Sequence, residues 1–193
     1  AGFLLRVSDA FRGGRSYFQI AEPLVTFYHA IMRPEWALLE RPGNAASVWN
    51  RSRGRFSATV LGSHFEHVAR AWVRHYAATT TLGGHATQVE AGIVNDAKNR
   101  QSHQVDVAVL QSTPGGQRRL LAIGEAKWGE RIGLKHIARL EHIREILRNR
   151  TDIQAADTKL LAISAAGFTP ELEAVSGAGD TVLVSCERLY TGS

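Results

Sequence analysis

Two stretches of the sequence place charge where apolar side chains would be expected. Residues 120–128 read LLAIGEAKW and residues 104–110 read QVDVAVL, so Glu125, Lys127 and Asp106 interrupt runs suited to buried strands. Burying a lone charge is expensive unless a partner or a task compensates. Side chains two apart on a strand share a face, so Glu125 and Lys127 emerge side by side while Ala126 turns away. If Asp106 lies beside Glu125 across a hairpin, two carboxylates occupy one pocket and repel each other unless a cation or a proton lies between them. Magnesium, or manganese, suits such a pair. It takes one or two carboxylates and completes its octahedron with water and phosphate oxygens. Lys127 would then position or deprotonate a water, or balance charge on a pentacovalent phosphorane. Glu66, on a helix ahead of the sheet, offers a further ligand or a hold on the water. Asp106, Glu125 and Glu66 as metal ligands, with Lys127 beside them, form a catalytic kit for metal-assisted phosphodiester hydrolysis.

Each of these residues also has a plain structural reading. An E-x-K tripeptide closes into a self-satisfied ion pair, and Asp106 could cap a turn or pair with Lys127. Glu66 stands four residues before Arg70, the spacing of an ordinary helix-surface ion pair. His64 and His67 are one helical turn apart but lack a third ligand in view, so they read as solvated. Trp128 reads as core or pocket wall, and His103 as a residue near the same cleft.

These side chains need elements to carry them. Residues 3–20 show two extended runs around a Gly13-Gly14 turn, the pattern of a β-hairpin. A helical pattern begins at Pro23 and is interrupted at Pro34, and residues 41–55 read as a loop. Leu61, Phe65, Val68, Ala69, Trp72 and Tyr76 form an apolar stripe on a helix over about 58–77. Three strands follow, ATQVEAGIV, QVDVAVL and RRLLAIGEAK, with a Pro114-Gly115-Gly116 turn between the last two. Residues 132–150 read as an amphipathic helix, TKLLAIS at 158–164 as a fourth strand and TVLVSC at 181–186 as a fifth. Consecutive strands imply an antiparallel meander, and a helical crossover implies a parallel addition beside it. The expected fold is α/β, a mixed sheet in the order helix, three-strand meander, helix, strand, helix, strand, with an N-terminal helical and hairpin extension.

With 193 residues, 44% hydrophobic and 21% charged, the chain can bury one sizeable core. Its single cysteine, Cys186, excludes an internal disulfide and a multi-cysteine zinc cage, which fits a reducing, cytoplasmic setting. No apolar run approaches the length of a membrane span. A formal charge of +5 suits a polyanionic partner. Arg51, Arg53 and Arg55 form the densest basic cluster and are the expected phosphate contacts to DNA, with Arg144, Arg148 and Arg150 a second cluster. The sequence opens AGFLLRV, without methionine and already inside an apparent strand, as expected of a piece of a longer chain.

An acidic residue on a first helix, Asp on the second strand and E-x-K on the third resemble the PD-(D/E)XK nuclease superfamily, which includes restriction endonucleases and Holliday-junction resolvases. The resemblance implies a restriction-endonuclease-like fold, with Asp106, Glu125 and Lys127 as the catalytic core and Glu66 matching the helical acid of the resolvases. Val105 stands where that pattern often has proline. SYFQIAEPLVTFYHAIMRP, FSATVLGSHFEHVARAW, QVDVAVL, LLAIGEAKWG, SAAGFTPEL and CERLY, in that order, are similar to the uncharacterised C-terminal domain of archaeal-type AAA ATPases. That likeness implies that residues 1–22 are the wing of a preceding winged-helix module, 23–55 a helical connector and 56–193 the nuclease-like domain. It also implies ATPase and winged-helix modules upstream on the same polypeptide as partners, with DNA as substrate and no membrane. A homodimer is a further expectation. No G-x-x-x-x-G-K-[ST] occurs, so ATP chemistry would lie outside this piece. The alternative is a catalytically silent interaction or regulatory domain that binds DNA or the ATPase core.

Overall fold

The computed structural model describes residues 3–113, 116–176 and 179–192. Ala1, Gly2 and the Pro114-Gly115 part of the expected turn lie outside them. Strands β1 (Leu4–Ser8) and β2 (Ser16–Ile20) form the antiparallel hairpin read from the sequence. Helix α1 (Pro23–Phe27) runs on through a π-helical turn at Tyr28–Met32 and a 3-10 turn at Arg33–Glu35 into α2 (Trp36–Leu39). Pro34 therefore does not break the helical path. It falls in the first turn of the 3-10 segment, where a missing N–H is harmless, and the wider π turn absorbs the mismatch.

The expected loop at 41–55 is a second correction. Residues Ala45–Arg55 form helix α3, which continues through a π-helical segment, Phe56–Leu61, into α4 (Gly62–His75). Gly54 lies inside this helix, but one glycine costs a helix only about 1 kcal/mol. Packing outweighs that: Val48 and Ser52 are buried one turn apart, and the Trp49 and Phe56 rings meet at 5.1 Å. A short helix, α5 (Thr79–Leu82), leads to the sheet.

The meander is β3 (Gln88–Asp96), β4 (Gln101–Ser112) and β5 (Arg118–Lys127), all antiparallel. Helix α6 (Leu134–Arg148) then crosses over, and the two-residue strand β6 (Ile153–Gln154) pairs with β5. Strand β7 (Lys159–Ser164) lies parallel to β5, and after α7 (Pro170–Val175) strand β8 (Thr181–Ser185) lies parallel to β7. Helix α8 (Cys186–Thr191) closes the described chain. The main sheet order is β3-β4-β5-β7-β8, a mixed sheet in an α/β protein.

Helices cover both faces. Phe65, Ala69, Trp72 and Val73 of α4 pack on Val89, Val107, Val109 and Leu121. On the other face Ile137, Leu140, Ile143 and Leu147 of α6 pack on Leu120, Ile123, Leu160 and Ala162. The turn of the N-terminal hairpin joins this second core, because Ala10 and Phe11 are buried in it. The Ala10 N–H donates to Ala91 O at 3.0 Å, and Arg118 and Arg150 donate to the carbonyls of Ala10 and Phe11. Two glycines admit close backbone approaches. A Cβ on Gly92 would meet the Phe11 ring at 2.5 Å, and one on Gly124 would meet Leu161 Cβ and its carbonyl oxygen at 2.9 Å.

No helix among the described residues is long and apolar enough to cross a membrane.

Candidate active site

Asp106 sits where β4 departs from regular pairing. The register with β3 shifts between Glu90 and Gly92, so the chain carries an extra residue there and the strand re-aims its side chains. Asp106 is 8% exposed and Glu125, on the neighbouring strand, 5%. The Ala126 N–H donates to Asp106 Oδ2 at 3.0 Å, which fixes the aspartate against β5 next to Glu125. Gln104 Nε2 donates to the other oxygen at 3.3 Å. Lys127 Nζ lies 2.9 Å from Glu125 Oε1, as the strand alternation predicts.

Two arginines complete the cluster. Arg70 of α4, itself buried, donates from Nη1 to the Asp106 carbonyl at 2.8 Å and stands 3.9 Å from Glu66. Arg139 of α6 donates to Glu125 Oε2 at 2.9 Å and to Gln104 O at 2.6 Å. The carboxylate of Glu125 is thus matched by a protein cation at each oxygen.

The electrostatics follow from this crowding. Burial, reinforced by the Asp106 charge and opposed by Arg70 and Lys127, pushes the Glu66 pKa up to about 7. Burial also raises Asp106, against the Ala126 N–H and the Lys127 charge, which favour its ionised form. Burial works against the Lys127 cation, but Glu125, Asp106 and Glu130 outweigh it and raise its pKa. Lys127 therefore stays protonated at neutral pH, which suits charge balancing better than proton abstraction. A cleft of roughly 700 Å³ opens beside the cluster between β2, α4 and the β3–β4 edge, with Tyr17, Ser63, Glu66 and Arg70 in its wall.

The four residues singled out as catalytic share one region, but the side-chain oxygens of Asp106, Glu125 and Glu66 do not all lie within 4.8 Å of one another. Among the described residues, the ligand atoms found within 4.8 Å of one another belong instead to Asp96, His103 and His142, a cluster that could hold a metal ion. Sequence reasoning had noted only His103. Asp96 ends β3 opposite Gln101, so the hairpin register sets Asp96 and His103 diagonally on one face, and that was the available signal. Hydrogen bonds from the Asn99 side chain first, then from His142 and the Asn99 N–H, hold Asp96 well below the usual carboxylate range.

The arginine clusters are partly corrected. On α3, all three arginines are exposed; Arg51 is paired with Glu35 and Arg55 donates to Ala30 O at 3.4 Å, while helical spacing sets Arg53 on the opposite side. The expected three-pronged basic loop does not exist, because the segment is helical. Arg144, Arg148 and Arg150 donate to the carbonyls of Thr158, Ala155 and Phe11 and so tie α6 to the chain around it. Trp128 is half-exposed, with its ring 5.9 Å from that of Phe65, as expected of a pocket wall. His64 and His67 lie together beside the N-terminal hairpin.

Comparison with protein-family models, with characterised proteins and with solved structures finds no match for this chain.

Proposed function

We propose that this chain is a magnesium- or manganese-dependent nuclease or nuclease-like DNA-binding domain, the C-terminal part of an ATP-binding AAA-type ATPase. The observation that carries the reading is the convergence of Asp106, Glu125 and Lys127 on adjoining positions of β4 and β5, with Glu66 within their electrostatic reach. Burial first, and then the neighbouring carboxylate charge, raise the proton affinity of Glu66 and Asp106, which is the pattern of a functional site. Asp106 and Glu125, with Glu66, would hold the ion, which when bound supplies Lewis-acid stabilisation to a phosphodiester. Lys127, protonated, would neutralise charge gathering on the phosphorus oxygens. The ATPase context rests on the ordered motifs of the sequence, from SYFQIAEPLVTFYHAIMRP to CERLY.

One observation favours a second reading. Lys127 and Arg139 already satisfy both oxygens of Glu125, so the cluster is also a complete ionic network. A catalytically silent domain that binds DNA or the ATPase core would need no more. Cleavage of linear, branched and single-stranded DNA with magnesium or manganese separates the two. The nuclease reading expects nicking of at least one form and its loss in Lys127→Ala with unchanged circular dichroism. No cleavage of any form, with the ATPase modules included, transfers the assignment to the silent domain.

A further inference from the structure

We propose that Asp96, His103 and His142 form a separate site for a divalent transition ion of the zinc class, with its remaining position open to solvent. The three side chains come from the end of β3, from β4 and from α6, so only the folded chain assembles them. His142 Nε2 lies 2.8 Å and His103 Nε2 3.6 Å from the same oxygen, Asp96 Oδ2. Zinc bonds of 2.0–2.1 Å in a tetrahedron require ligand atoms ~3.3 Å apart, and the two separations bracket that value. Small side-chain movements would complete the geometry.

The second observation is an orphan. His103 Nε2 is hidden from solvent and has no hydrogen-bond partner, although it faces the Asp96 carboxylate. A buried polar atom left without a partner calls for an explanation, and a metal would use its lone pair. Asp96 is also supported as a ligating carboxylate should be: Asn99 donates its N–H to Oδ1 at 3.0 Å and its side-chain amide to Oδ2 at 2.7 Å. In the metal-free protein the short contact of His142 is a hydrogen bond from its Nε2–H to Asp96. On binding, the ring hydrogen moves through solvent from Nε2 to Nδ1, which frees the Nε2 lone pair for the ion and leaves the imidazole neutral.

The donor set selects the ion. Two imidazoles and one carboxylate suit zinc and its neighbours, whereas magnesium and calcium take oxygen ligands. The His142 side chain is about half exposed, which provides both an entry path and the open position. The ion would staple α6 to the β3–β4 turn. Arg139, one turn earlier on α6, is the residue that holds Glu125, so the staple steadies the helix that supports the carboxylate cluster without belonging to it.

The test uses the full chain, stripped with chelator and titrated with zinc by calorimetry and with cobalt(II) by visible absorption. Expected are uptake of a single zinc, cobalt bands of four-coordinate intensity, and a rise in Tm with zinc that His142→Ala abolishes and Asp106→Asn retains. His142→Ala removes an exposed ring and so spares the core. It should weaken zinc binding more than about 100-fold, because an outer-shell partner alone is worth about 10–100-fold. His103→Gln should act in the same direction, and Asp106→Asn should leave zinc affinity unchanged, which separates this site from the proposed nuclease centre. No zinc uptake by the wild type, or undiminished uptake in both histidine variants, overturns the proposal.

Discussion

Glu66 holds a proton through a pH range in which an unfolded chain would give it up. Its pKa rises from 4.5 to about 7, so between those values the folded state binds more protons than the unfolded state. Stability must therefore fall as pH rises through that window, by on the order of 1–3 kcal/mol after solvent screening. Glu66→Gln removes the titration. Its urea unfolding free energy should stay flat where that of the wild type drops, and the variant should be the more stable of the two at pH 8. An equal decline in both proteins would place the liability elsewhere. The charges of Asp106, Glu125 and Lys127 were legible in the sequence because a charge inside a strand is locally anomalous. Arg70 and Arg139 were not, since an arginine on a helix is ordinary until a strand distant in sequence offers it a carbonyl or a carboxylate. The Asp96, His103 and His142 cluster escaped for the same reason, being spread over three elements.

The strands carry the site, and β5 does so with a tolerance set by Gly124. Its neighbour Leu161 leaves no room for a Cβ, and the obstructing atoms include a backbone oxygen that cannot rotate away. Gly124→Ala should therefore destabilise the protein by about 1–3 kcal/mol, measurable by chemical denaturation, and it should disturb the Asp106 contact with Ala126, two residues further along β5. A neutral substitution would mean that β5 and β7 separate easily. The strands themselves were the most legible elements, because β-branched alternation and flanking turns mark them directly. Helix α3 lies where the sequence reads as a loop, and the bulge at Asp106 leaves no mark that alternation alone could reveal. The helix is set by packing against the neighbouring helical turns, and the bulge by the pairing of β4 with β3.

Across the whole molecule, the N-terminal hairpin is attached to the sheet through Phe11. The ring fills the space above Gly92 in the core beneath α6, flanked by one backbone hydrogen bond, Ala10 N–H to Ala91 O, and by two that the Arg118 and Arg150 side chains donate to the Ala10 and Phe11 carbonyls. Phe11→Ala should destabilise the full chain by about 3–5 kcal/mol, the range for a buried aromatic truncation. A loss below 1 kcal/mol would mark the hairpin as an appendage, as the boundary expected near residue 22 implies. The mixed sheet with helices on both faces followed from the order of strands and crossovers. The docking of the hairpin did not, since residues 3–20 taken alone are too short to reveal a core.

The bond from Arg150 to the Phe11 carbonyl spans 139 residues and sets a timetable for biosynthesis. The ribosome adds about 5–20 residues each second, so Phe11 waits on the order of 10 s for its partner to emerge. Throughout that interval the aromatic ring and the apolar faces of the early helices are exposed together. A nascent chain is therefore most vulnerable to self-association and to holdase chaperones before α6 leaves the exit tunnel. Protease sensitivity near Phe11 should fall sharply once chains stalled beyond Arg150 have cleared the tunnel.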